Sequence, residues 1–144
     1  MFEGITPIWF FAFAALQGVI LVVDEVVFHW RRGLPRWERW GHPVDTFCFL
    51  LPLVTLWWSQ EAGVLYWILT VVSCLMITKD ERHHAELASG GEQWLHALLF
   101  LLHPVVLIFA TIPGVRDASA FPWLLIGVAA LGLYQIGYWN LVRH

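Results

Sequence analysis

Five apolar runs, each ended by polar or charged residues, divide the chain at about 5–30, 44–60, 62–84, 92–112 and 121–142. About 20 apolar residues span the hydrocarbon of a bilayer, and about 17 is the lower end. The second and third runs have short apolar parts, 44–59 and 63–78, so their polar ends are expected to continue as helix into the interface. Gln60-Glu61-Ala62-Gly63 reads as a tight turn between them, and Pro113-Gly114 stops the fourth run. No internal repeat or low-complexity segment interrupts the pattern. It predicts an all-α integral membrane protein: one domain, 1–144, with five transmembrane helices.

Charge adds an orientation. Arg31, Arg32, Arg36 and Arg39 follow the first run, Lys79 and Arg82 the third, and Arg143 the fifth, while Arg116 alone falls on the opposite side. Basic residues accumulate on the cytoplasmic side, so the N-terminus is expected outside and the C-terminus inside. The tryptophans form two belts that agree: Trp9, Trp57, Trp58, Trp67 and Trp123 at the outer edge, and Trp30, Trp37, Trp40, Trp94 and Trp139 at the inner one. Met1-Phe2-Glu3-Gly4 lacks a basic n-region, so no removed signal peptide is expected. A 59% hydrophobic chain with 13% charged residues and a mean hydropathy of +0.67 is not a soluble domain. Its net charge of −3 without a basic stripe argues against nucleic acid as a partner, and the expected location is a bacterial inner membrane. Cys48 and Cys74 lie inside apolar runs as small hydrophobes, with no disulfide framework and no CxxC motif.

The remaining ionisable residues crowd the cytoplasmic ends of the first four helices. A charge beside the bilayer is expensive and marks a functional site by default. Glu25 and His29 are four apart and share a helix face, with Asp24 beside them and Gln17 two turns deeper. Anions at a helix C-terminus oppose the macrodipole, so a cation is expected to compensate. His42-Pro43-Val44-Asp45 reads as the start of the second helix, where Pro and Asp also suit the first turn as caps. Glu81 and His84 form Glu-x-x-His, with Asp80 alongside and His83 turned away. Glu92 and His96 are four apart. Ser89-Gly90-Gly91-Glu92 also fits a capping box, which accounts for Glu92 equally well but not for His96. His103 lies two turns below His96, ahead of Pro104.

Several carboxylates in a poorly hydrated site repel one another, and divalent cations would remove that repulsion. The expected metal ligands are Glu25, His29, His42, Asp45, Glu81, His84, Glu92 and His96. Asp24, Asp80 and His103 are expected to orient ligands or move protons. Mixed imidazole and carboxylate without thiolate suits iron, manganese or zinc, and the donor count exceeds one tetrahedral zinc. Two divalent ions, iron first, fit better, in a bundle of four helices around the site at the cytoplasmic side. In its Glu-x-x-His pair the chain resembles the carboxylate/histidine di-iron helix bundles. More distantly, in a histidine-rich cytoplasmic site, it resembles the membrane desaturase–hydroxylase group. A second Glu-x-x-His and the HxxxH and HxxHH boxes are absent. The resemblance carries over a type of metal site and not a substrate. Because such a site can activate oxygen and lies at the bilayer, the expected function is an oxygen-dependent oxidoreductase acting on a lipid-soluble substrate, such as a lipid or quinone. Haem-mediated electron transfer through paired histidines, and transport or sensing of a metal ion or proton, are the alternatives.

Overall fold

Where water is scarce, backbone polar groups must be satisfied within the chain, and helices do this segment by segment. The computed structural model describes residues 6–79 and 88–143, and all regular structure among them is helical. Five continuous helices result: α1 Ile8–Arg32, α2 Arg36–Ser59, α3 Val64–Met76, α4 Gly90–Phe109 and α5 Ala120–Val142. Helices α1, α4 and α5 are long and apolar enough to cross a membrane. Helix α3 is apolar but shorter, and α2 opens on the polar residues Arg36, Glu38 and Arg39.

Helix α2 packs against α3 and α5, α1 against α4, and α4 also against α3. Buried apolar side chains collect at one end, among them Phe10, Leu53, Tyr66, Leu107 and Phe121. The buried acids and histidines collect at the other. Large apolar side chains also cover the outside, including Ile8, Val19, Val64, Leu75, Leu101 and Leu133, a surface suited to lipid rather than water.

Two stretches depart from α-helix. Asp24–His29 in α1 and Tyr138–Val142 in α5 form wider π turns, with Trp30 N–H bonded to Glu25 O and Arg143 N–H to Tyr138 O. Such turns often mark functional positions. Both lie at the polar end.

The second helix starts well before residue 44, where the sequence pattern places it. Gly33, at φ 79°, turns the chain after α1, and α2 begins at Arg36. Pro43 is therefore inside the helix rather than in its first turn, and its ring denies the Arg39 carbonyl the usual partner. Asn140 Nδ2, from the π turn of α5, donates to that carbonyl at 3.1 Å. This donation satisfies the carbonyl that Pro43 frees, and with the helix starting at Arg36 the first-turn explanation for His42 and Asp45 falls away. Asn140→Ala should leave the carbonyl without a donor and cost about 1–2 kcal/mol, measured as denaturant unfolding in detergent. An unchanged midpoint would show that the amide is dispensable.

Helix α3 ends at Met76, and tight turns carry the chain through Lys79, with Thr78 Oγ1 donating to Leu75 O at 2.7 Å. The expected span 62–84 continues past this point. Asp80, Glu81, His83 and His84 lie outside the described residues.

Candidate metal centre

The site begins in the π turn of α1. In an α-helix, residues five apart point about 140° away from each other. The wider turn brings Asp24 and His29 together, with His29 Nε2 3.3 Å from Asp24 Oδ2. Glu25 joins from the other side of the imidazole, its Oε2 3.6 Å from His29 Nδ1. Trp139 Nε1, from the π turn of α5, donates to Glu25 Oε1 and fixes that carboxylate. Asp24, Glu25 and His29 are all buried.

Helix α4 supplies the opposite wall. Ser89 and Glu92 form the capping box: the Glu92 amide donates to Ser89 Oγ at 3.3 Å, and the Ser89 amide to Glu92 Oε2 at 3.4 Å. The other oxygen, Oε1, turns toward α1 and lies 3.7 Å from His29 Nε2. The cap and ligand readings of Glu92 are thus compatible, one oxygen serving each. One turn on, His96 Nε2 is 3.3 Å from Asp24 Oδ2.

Asp24, His29, Glu92 and His96 each offer a donor atom within 4.8 Å of the others, and all four residues are buried. Ligands bound about 2.0–2.2 Å from one ion at tetrahedral angles lie about 3.4 Å apart. The separations of 3.3 and 3.7 Å are of that size. Asp24 Oδ1 has no hydrogen-bond partner among the described residues, and the His29 ring nitrogens face carboxylates at 3.3–3.7 Å without well-aligned hydrogen bonds, an arrangement that a cation between them would suit. Two carboxylates and two neutral imidazoles match the charge of one divalent cation. This buried cluster could hold a metal ion.

A second group shares His29. Glu38 and His42 on α2 complete it, with the His29 and His42 rings edge to face at 4.6 Å. Arg32 stands between the two groups. Its Nη2 is 3.1 Å from Glu38 Oε2 and 2.9 Å from Glu92 Oε1, so one guanidinium serves a carboxylate of each.

Of the expected ligands, the structure gathers His29, His42, Glu92 and His96 into these groups, with Glu25 against His29. Asp24, expected to orient ligands, instead offers its own oxygen to the cluster. Asp45 lies apart from both groups, its carboxylate 2.6 and 2.7 Å from Lys79 Nζ. Asp80, Glu81 and His84 cannot be placed among the described residues. His103 is held by Gln17 Nε2 at 3.4 Å from Nδ1 and by Ser73 Oγ at 2.8 Å from Nε2, deeper in the molecule than the cluster. Glu38 is the residue the sequence reading passed over. A signal existed: Glu38–His42 repeats the four-residue spacing of Glu25–His29 and Glu92–His96.

Beside the cluster lies a cavity of about 680 Å³, enclosed mainly by apolar side chains of α1, α2, α4 and α5. Asp24, His42 and His96 form part of its wall. Comparison with protein-family models, curated proteins and solved structures finds no match for this chain. The functional reading rests on the site alone.

Proposed function

We propose that this chain is a five-span integral membrane protein, N-terminus outside and C-terminus in the cytoplasm. In this reading it carries a di-metal centre, of iron first, and works as an oxygen-dependent oxidoreductase on a lipid-soluble substrate. The observation that carries the reading is the junction of the buried His/Asp/Glu cluster with a large apolar cavity. A ligand dissolved in the bilayer would meet the donors Asp24, His42 and His96 directly, without crossing water. The basic residues on alternate loops favour the orientation, and they fit a bacterial inner membrane.

Asp24, His29, Glu92 and His96 would hold one ion. Glu38 and His42 would contribute to the second, in a four-helix arrangement completed by the third helix. A neutral imidazole offers one lone pair, so His29 serves one ion at a time, and the second needs carboxylate bridging or further donors. Iron, when bound, supplies the electrons for dioxygen activation. The chain's own contribution is to bury the donors, to exclude water with the apolar cavity wall, and to fix Glu25 through Trp139 so that His29 keeps its orientation.

Metal analysis of protein purified without added metal tests the proposal. About two iron or manganese ions per chain are expected. No metal, even after reconstitution, would sink it. A sharp Soret band would replace it with haem binding, although both ring nitrogens of His103 are already engaged. One observation favours a second reading: Arg32 already neutralises part of Glu38 and Glu92. A single tightly held zinc ion, stabilising the fold without turnover, would be its signature.

A further inference from the structure

Helices α1 and α5 meet at both ends and part in the middle. Near one end the Phe10 and Phe121 rings lie 5.8 Å apart. Near the other, Trp30 Nε1 donates to Tyr134 Oη at 2.9 Å, and Trp139 donates to Glu25. Between these contacts the cavity wall includes the small residues Ala14, Ala15 and Gly18 of α1 and Gly127 of α5, alongside larger apolar ones such as Leu21 and Leu131. A Cβ added at Gly18 or Gly127 would meet only open space. From Ala14 to Val22 the wall runs about 12 Å along the helix axis. We read this stretch of small residues as a lateral window into the cavity.

Gln17 lines the cavity behind it and is only 4% exposed. Its Nε2 faces His103, while its Oε1 has no hydrogen-bond partner among the described residues. A buried amide oxygen without a donor is costly, and a hydroxyl entering the cavity with a ligand would supply one. Phe49, whose ring lies 4.8 Å from that of His103, adds a flat apolar wall beside the amide.

We infer that a lipid-soluble quinol enters through this window and donates one ring hydroxyl to Gln17 Oε1, its tail lying between α1 and α5. The inference rests on the substrate reading above and narrows it, from apolar molecules in general to ring-headed ones with a hydroxyl donor. Gln17 lies two turns from Asp24 on α1, and His103 two turns from His96 on α4. The quinol's second hydroxyl, across the ring, is then directed along the cavity toward Asp24 and His96.

Binding can be read without turnover by titrating the purified protein in detergent, under argon, with decylubiquinol. Quenching of Trp123, which lines the cavity, provides the signal, and Trp123→Phe identifies its share. Saturable quenching is expected, weakened about tenfold by Gln17→Leu, the worth of one buried hydrogen bond. Gly127→Leu, whose side chain grows into the open window, should abolish it. It keeps the test alive if Gln17→Leu fails to fold. Absence of saturable binding to the wild type, or equal binding to Gln17→Leu, would overturn the inference. Equal displacement by 1-dodecanol would overturn its ring-headed part. Metal content of the same samples separates the two proposals. Metal-free protein that still binds the quinol through Gln17 defeats the metal reading alone, whereas metal-loaded protein that ignores the quinol defeats this one alone.

Discussion

On the proposed metal centre, replacing His29 with alanine is expected to abolish metal binding. His29 is fully buried and belongs to both donor groups, and its Nε2 faces Asp24 and Glu92 at 3.3 and 3.7 Å. Without it, His96 is the one imidazole left in the cluster, and Glu38 and His42 lose the donor they share with it. Changes to residues that merely orient ligands cost about 10–100-fold in metal affinity, so loss of a shared donor should exceed about 100-fold. The control is Asp45→Ala. Asp45 pairs with Lys79 away from the cluster, so metal content should be unchanged. Metal analysis of both variants, purified side by side, checks the expectation. Full metal in His29→Ala would move the site elsewhere.

The second large effect concerns Arg32→Met. Glu38 and Glu92 are buried, and Arg32 is the cation that reaches both. Removing one partner of a buried ion pair leaves an uncompensated charge and costs about 3–5 kcal/mol. The Arg32 side chain keeps 28% of its exposure, so the lower figure, about 3 kcal/mol, is expected. The deficit should depend on metal. An ion at a hundredfold excess over its dissociation constant stabilises a protein by about 2.7 kcal/mol, and an ion near Glu92 would take over part of the guanidinium's role. Thermal unfolding of Arg32→Met should therefore fall well below wild type without metal and recover with excess Mn²⁺. A deficit indifferent to Mn²⁺ would show that Arg32 and the ion do not share these carboxylates.

Much of the site was legible because helix periodicity converts spacing into direction. Glu25 with His29 and Glu92 with His96 could be paired from sequence alone, since residues four apart share a face in any ordinary helix. Glu38 was not legible for a local reason. It sits among four arginines and is followed by Gly41 and Pro43, residues that read as a loop and a helix start. The helix runs through both, and Asn140, about a hundred residues away in sequence, satisfies the Arg39 carbonyl that Pro43 frees. The place of Asp24 within the cluster was not legible for another reason: its approach to His29 needs a π turn, which α-helical spacing does not anticipate. The apolar runs predicted the helices themselves, because they are long and continuously apolar, unlike the short alternating strands of a barrel.

The π turn at the polar end of α1 also bears on how the site could rearrange. The same residues wound as ordinary α-helix would shift everything after the turn by about 100°. Asp24 would then part from His29, and Arg32 would swing away from Glu38 and Glu92. Donors and counter-charge sit on one register and are gained or lost together. Incomplete loading of the centre should therefore divide the molecules into two populations, one in each register, rather than loosen all of them by degrees.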